Sequence, residues 1–381
     1  MKRFLAFLAV LISVLVIGYL QPVFFPPEKA EIDIEDINRA DVFHTALPHE
    51  ELPASGYALY IGKKINEFTD VFGEPLTSYD TGLGYELWTF GEEDSEYMEV
   101  SVKDKKICAV KAFNTTEAMH PFEIGMTLSE VSDITTVFSN FEIGYKDMAY
   151  SVELMEEDMN YRPLFAFDNE TFAVLFFAQG KDVLSGVVYL SKEYLLTVMP
   201  YQLIAGEALP ITISDLLPEM IDEKQKTMIR MINMIRINEA LPAYSFHISA
   251  EKNAEQLYQF YEEKFYEENA VDFLSVERLE SLSRVKSESL GEIATSFIFT
   301  NSEFESMLAK SELDLRKSQG IFMTPVYDLS FTALYWFSDS AYYSRFSRDE
   351  NEAIGVAFSK EDVLVLIQAV ENITEETEDS R

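Results

Sequence analysis

The chain has 381 residues, with 30 Lys and Arg against 66 Asp and Glu, for a formal charge of −36 at neutral pH. That balance argues against a nucleic-acid partner, whose phosphates need a Lys/Arg surface, and against adsorption of the folded part to anionic lipid. Hydrophobic residues at 48% exclude wholesale disorder, the length suggests about two or three domains, and the single cysteine, Cys108, excludes an intramolecular disulfide.

Lys2 and Arg3 precede an apolar run from Phe4 to Leu20. As a helix rising about 1.5 Å per residue, this run just spans a bilayer core of roughly 30 Å, and the basic pair keeps the N-terminus in the cytoplasm. No small-residue cleavage pattern leads into Gln21-Pro22-Val23, so residues 1–22 read as a membrane anchor or uncleaved signal. A cleaved signal, which would make the protein secreted, is the alternative. Residues 23–55 are acidic and punctuated by Pro26, Pro27, Pro48 and Pro53, which suits a stalk with a short helix near 32–38. His44 and His49 fall in this linker, where Pro48 opposes the helix that a metal pair would need.

A duplicated unit occupies 56–200, with copies near 57–118 and 119–198. Ile61-Gly62-Lys63-Lys64-Ile65-Asn66-Glu67 returns as Ile124-Gly125-Met126-Thr127-Leu128-Ser129-Glu130, each time a glycine, a helix start and apolar residues at helical spacing. Strand patterns follow at 85–90, 97–102 and 107–113 in the first copy, the last two joined by the hairpin turn Lys103-Asp104-Lys105-Lys106, and at 164–167, 172–178 and 183–190 in the second, with Gln179-Gly180-Lys181-Asp182 as a turn. Each copy is thus a helix with antiparallel strands, an α+β unit. A connector at 199–209 leads to the region 211–370, where Met228, Met231, Ile232 and Ile235 form one helical stripe and Ala254, Leu257, Tyr258, Tyr261 and Phe265 another, both read as core. In the aromatic stretch 326–337, the alternation of Phe331, Ala333, Tyr335 and Phe337 predicts a half-buried strand. Residues 371–381 form an acidic tail.

Several pieces of the C-terminal region resemble the CAP superfamily of cysteine-rich secretory, antigen 5 and pathogenesis-related proteins. Asn233 and Arg236 before Leu241-Pro242 resemble its first-helix motif, Leu290-Gly291-Glu292-Ile293 its G-E-N-I signature, Met307 to Ser311 its W-x-x-S helix, and Ile354-Gly355-Val356-Ala357 its I-G-V-G strand. The preceding repeat resembles the CAP-associated N-terminal domain, and the whole layout is similar to a group of anchored proteins of Gram-positive bacilli. The resemblance implies a fold with an N-terminal transmembrane helix, a duplicated helix-plus-strands domain and a CAP-like α-β-α sandwich. It also implies a cleft, with Glu292, Ser311, Asp314 and Arg316 as candidate ligand-binding residues.

The family cleft holds a histidine pair with glutamates, suited to zinc. Here the imidazoles are absent: Asp314 or Leu315 stands at the second histidine position, and His247 lies where the family places no ligand. No family-type metal and no cofactor is therefore expected, although an oxygen-ligand set for calcium or magnesium around Glu292 and Asp314 stays open beside a structural role for Glu292. The long insert at 317–351 is a departure from the family, serving as extra core or as a partner surface. No nucleophile elbow, zinc-protease motif, dinucleotide fingerprint or P-loop occurs. The acidic runs at 92–94 and 156–158 read as solvated loops, and Cys108 as a buried thiol. The reading is a membrane-anchored extracytoplasmic binding or scaffold protein whose partner is a cell-envelope component or protein, with no nucleic acid. A cell-envelope hydrolase built on Glu292 is the alternative, and a third reading makes the repeat domain the active part.

Overall fold

The computed structural model describes residues 49–370, except positions 208, 210, 212, 216, 268–270, 288–295, 312, 314–317 and 351. The segment 1–22, most of the stalk and the acidic tail lie outside the described residues, within which no helix is long and apolar enough to cross a membrane.

In chain order the elements begin with β1 (Glu51–Leu52), α1 (Ile65–Phe72), β2 (Thr77–Asp80), β3 (Glu86–Phe90), β4 (Met98–Lys103) and β5 (Lys106–Ala112). They continue with α2 (Leu128–Ile134), β6 (Asn140–Tyr145), β7 (Met148–Glu153), α3 (Glu156–Tyr161), β8 (Leu164–Phe167), β9 (Thr171–Ala178), β10 (Val183–Ser191), α4 (Lys192–Val198) and β11 (Gln202–Ala205). Strands from both sequence copies enter one eight-stranded sheet, ordered β1-β8-β9-β10-β5-β4-β3-β2, in which β10 of the second copy pairs antiparallel with β5 of the first, while β6 and β7 form a separate three-stranded sheet with β11.

The copies repeat down to single hydrogen bonds. Gly62 N–H donates to the Ile107 carbonyl and Ile107 N–H to that of Lys63, both at 2.8 Å. In the second copy Gly125 N–H donates to Leu184 at 2.8 Å and Leu184 N–H to Met126 at 2.7 Å. Each glycine has positive φ (82° and 92°), a conformation that L side chains rarely adopt. The tight β4–β5 turn, with Asp104 and Lys105 at φ 51° and 62°, matches the hairpin read from the sequence. Not read from the sequence was the β6–β7 hairpin, whose β7 also pairs with β11 inside the segment taken as a connector.

The C-terminal region comprises α5 (Pro218–Asn238), β12 (Ser245–Phe246), α6 (Ile248–Glu262), α7 (Val276–Ser287), β13 (Phe297–Ile298), α8 (Asn301–Lys310), β14 (Ser318–Thr324), α9 (Leu329–Ser338), α10 (Ser340–Phe346), β15 (Glu352–Ser359) and β16 (Asp362–Ala369). Its five-stranded sheet is ordered β12-β15-β16-β14-β13. Alternate residues part to the two faces. Phe322, Ala357, Leu364 and Leu366 meet the stripe of α6 with Leu282 of α7 and Phe304 and Met307 of α8. Ile321, Ile354, Val356, Val365 and Ile367 meet Met228, Met231, Ile232 and Ile235 of α5 and the aromatics of α9. Helices thus cover both faces of the sheet.

Two sequence expectations are corrected. Residues 329–338 form a helix, not a strand, because Asp328 caps it by accepting from Phe331 N–H at 3.0 Å and because burial on almost every side erases any helical polarity pattern. Residues 156–158 open α3 instead of a solvated loop: acids suit a helix N-terminus, and Asp158 pairs one turn on with Arg162 at 2.8 Å.

Candidate functional site

Of the cleft residues proposed from sequence, Glu292, Asp314 and Arg316 lie outside the described residues. Ser311 follows the last turn of α8, where its hydroxyl donates to the Leu308 carbonyl at 2.8 Å and accepts from Leu313 N–H at 3.4 Å, so its polar capacity is used locally. Asn233 and Arg236 are structural. The Asn233 amide exchanges hydrogen bonds with the Tyr244 backbone at 2.8 and 3.0 Å. The fully buried Arg236 guanidinium reaches the carbonyls of Pro242, Phe346 and Arg348 while stacking on Tyr244 at 3.7 Å, which pins the loop between α5 and α6. His247 precedes α6 with no capping bond, and His49 packs on the Phe141 ring at 4.9 Å. Among the described residues no three His, Cys, Asp or Glu side chains converge to hold a metal ion.

The described chain instead concentrates buried polar chemistry where the repeat region meets the C-terminal region. On β4 and β5 one set of alternating residues, Val100, Val102, Ile107 and Val110, enters the apolar core beneath α1 and α2. The other set presents Glu99, Ser101 and Lys111, all essentially buried, to the C-terminal region. There the Lys111 ammonium lies 2.6 Å from Asp328 and 3.2 Å from Glu99. One cation does not satisfy two carboxylates, so neutral donors supply the rest. Tyr194 donates to Asp328 at 2.6 Å, while Tyr97 at 2.8 Å and Ser330 at 2.7 Å donate to Glu99. Burial pushes the Tyr194 and Tyr97 phenols well above their ordinary range, keeping them as donors. Lys111 is desolvated, yet the two carboxylates outweigh that and raise its pKa.

Beside this network lies a cavity of about 480 Å³. The repeat region contributes Asp158, Arg162 and Tyr201, and the C-terminal region Tyr327, Tyr335 and Tyr342. Arg162 is held by Asp158, by the Ser338 carbonyl at 3.0 Å and by the Tyr335 ring at 4.6 Å, and its own carbonyl accepts from Tyr201 at 2.7 Å. Asp339 faces it at 3.9 Å, with its carboxyl raised by burial. The buried Tyr327 hydroxyl has no hydrogen-bond partner among the described residues and sits on this wall. Ser296, four residues beyond Glu292, also lines the cavity and donates to the Pro325 carbonyl at 3.0 Å. Aromatic walls, fixed carboxylates and one saturated guanidinium can cradle a neutral or cationic ligand with an apolar face. No nucleophile paired with a base faces this cavity among the described residues, and Ser330, although bonded to Glu99, is sealed from solvent.

Sequence reasoning missed this junction because nothing local in β4 and β5 marks Glu99, Ser101 and Lys111 as buried. Two further contacts cross it. Lys224 of α5 donates to the Thr81 carbonyl at 3.2 Å, with burial lowering its pKa to about 8. Arg230 pairs with Asp94 at 2.9 Å. Cys108 is half-buried: desolvation pushes its thiol up to about 12, and it donates to the Ser101 carbonyl.

Residues 61–201 match the family described as CAP-associated N-terminal. A relative from Bacillus subtilis, described as the uncharacterized membrane protein YlbC, is 26% identical over 193 residues, which is 50% of this chain and 56% of the relative; the chain thus matches little more than half of that protein's length. A cysteine-rich secretory protein from Staphylococcus aureus superposes with a TM-score of 0.64 at 18% identity, over 84% of this chain and 95% of that one. An extracellular protein containing an SCP domain, from Bacillus anthracis, superposes with a TM-score of 0.61 at 17% identity, over 84% and 97%. The chain is therefore similar to YlbC over half its length, matches the CAP-associated N-terminal family over residues 61–201, and shares the fold of the two secreted-type structures.

Proposed function

We propose that this is a membrane-anchored, extracytoplasmic binding or scaffold protein, held by residues 1–22 and presenting the cavity between its two regions to a neutral or cationic component of the cell envelope. The observation that carries the reading is the chemistry of that cavity: its polar walls are tied into ion pairs and hydrogen bonds, its lining is rich in tyrosine, and the buried Tyr327 hydroxyl has no hydrogen-bond partner among the described residues. The membrane description of the Bacillus subtilis relative and the extracellular description of the Bacillus anthracis protein support the location. The absence of histidine from positions 248–381 supports recognition without the family's metal.

The test is binding of the purified full chain to isolated envelope fractions (membranes, wall polymer, soluble wall fragments), compared with Tyr342→Ala, Tyr335→Ala and Glu292→Gln. The expected result is saturable binding to one fraction, weakened by the tyrosine variants and retained by Glu292→Gln. Turnover of the bound fraction that Glu292→Gln abolishes would overturn the reading in favour of a hydrolase.

A further inference from the structure

A second cavity, of about 730 Å³, is lined mostly by the repeat region, with Ile211 and Tyr327 added by the C-terminal region. Its charge runs against that of the molecule. Lys103, Lys106, Lys146 and Lys192 line it, against Asp104, Glu170 and Glu193. Two of the carboxylates are already engaged: Glu193 by Lys103 at 2.7 Å and by the Tyr145 hydroxyl at 2.7 Å, and Glu170 by Lys192 at 2.8 Å. Lys106 and Lys146 carry no ion pair among the described residues, and Lys146 sits over the Tyr145 ring at 4.8 Å. Lys63, Lys64 and Lys105, exposed beside the opening's Ile61, Gly62 and Asp104, are likewise without an ion pair among the described residues. With acids outnumbering bases by more than two to one, seven lysines gathered around one opening are a local reversal of sign. At physiological salt the Debye length is about 8 Å, so distant carboxylates are screened and the near lysines dominate the field in the cavity.

The fold does not require these lysines. The second copy makes the same paired backbone hydrogen bonds with Met126 and Thr127 standing where the first has Lys63 and Lys64. At these two positions one backbone arrangement is built with and without the charge, so the charge there is not a requirement of the fold. Inside, Ile61, Leu83, Ile107 and Val198 give the cavity an apolar portion, and its size falls within the range of small-molecule sites. Lysine ammoniums are point charges that hold phosphate without demanding one planar geometry.

We propose that this cavity of the repeat region binds a phosphate-bearing organic anion, its phosphate held by Lys106 and Lys146 and its organic part against the apolar wall. A soluble phosphodiester and a phospholipid headgroup share this chemistry, and the experiment separates them. The full chain is reconstituted in nanodiscs of phosphatidylcholine and titrated with soluble glycerophosphoglycerol; a parallel sample sits in discs containing phosphatidylglycerol. Lysine acylation is followed residue by residue by mass spectrometry, with the exposed Lys226 of α5 as the reference.

Selective protection of Lys106 and Lys146 by the soluble diester supports the proposal with a soluble source, and protection only in phosphatidylglycerol discs supports it with a lipid source. The double variant Lys106→Gln/Lys146→Gln, confined to exposed side chains, is expected to weaken diester binding about tenfold or more. Protection in neither sample, or equal protection of Lys226, overturns it.

Discussion

The two faces of the eight-stranded sheet obey the same alternation and solve different problems. Under α1 and α2 the inward residues are apolar: Phe68 packs against Phe72 and Phe90 with ring centroids 4.3 and 5.3 Å apart, and cohesion comes from area removed from water. On the opposite face Phe172, Val174, Phe176, Val188 and Leu190 pack against the C-terminal region, and within that apolar patch Glu99, Ser101 and Lys111 are just as deeply buried, so cohesion there also needs every charge to be matched. The first face closes the repeat region on itself. The second fastens it to the C-terminal region through Asp328 and Ser330, which makes the cavity between them a fixed shape. The lesson is that the polar half of an amphipathic strand reports a partner surface as readily as it reports water.

The comparison is broken most forcefully at its two centres. Phe68→Ala and Lys111→Met are each expected to destabilise the chain by about 3–5 kcal/mol, the first through a cavity and the second through unpaired buried carboxylates. Denaturant titrations at alkaline pH should separate them: Lys111→Met loses the pH dependence that the Lys111 ammonium gives the native chain, whereas Phe68→Ala keeps it. In the native chain the raised pKa of Lys111 means that its contribution is complete below its unfolded value of about 10.5 and is lost as pH rises through the folded value.

Lys224 gives the next largest effect and the opposite sign. Its folded pKa of about 8 lies below the unfolded value, so the unfolded chain binds more protons between roughly pH 8 and 10.5, and stability should rise across that window by about 2–3 kcal/mol. Lys224→Met should abolish the rise and leave the protein more stable at neutral pH; an unchanged pH profile would contradict the assignment.

The two repeat copies offer a smaller contrast. Thr127 caps α2 by accepting from Glu130 N–H at 3.3 Å, with the Glu130 carboxylate returning to Thr127 N–H at 2.8 Å, so Thr127→Ala should cost about 1 kcal/mol in thermal unfolding. Lys64, at the same position of α1, makes no side-chain cap bond, and Lys64→Ala should be close to neutral.

What the sequence disclosed follows the same division. The glycine-led repeat, the β4–β5 and β9–β10 hairpins and the stripes of α5 and α6 were legible because each carries a local period or a turn residue with one physical meaning. The helix at 329–338 was not, since a segment buried on almost all sides has no period to read. Nor was the Glu99–Lys111–Asp328 network, because its members lie up to 229 positions apart and nothing local marks a lysine in a strand as buried. Of the four residues chosen for the cleft, Ser311 proved to be occupied by its own helix, and Glu292, Asp314 and Arg316 stand outside the described residues. Asn233 and Arg236, which resemble the family's first-helix motif, pin the loop between α5 and α6.

The most direct test of the account, that the repeat and C-terminal regions are one cooperative body fastened by Lys111, is native-state hydrogen exchange on the full chain, comparing the wild type with Lys111→Met. The account predicts that the slowest amides of β5 and β10 and those of β15 and β16 lose protection together and by the same amount in the variant. Loss confined to β5 and β10, with β15 and β16 unchanged, would show two independent domains and contradict it.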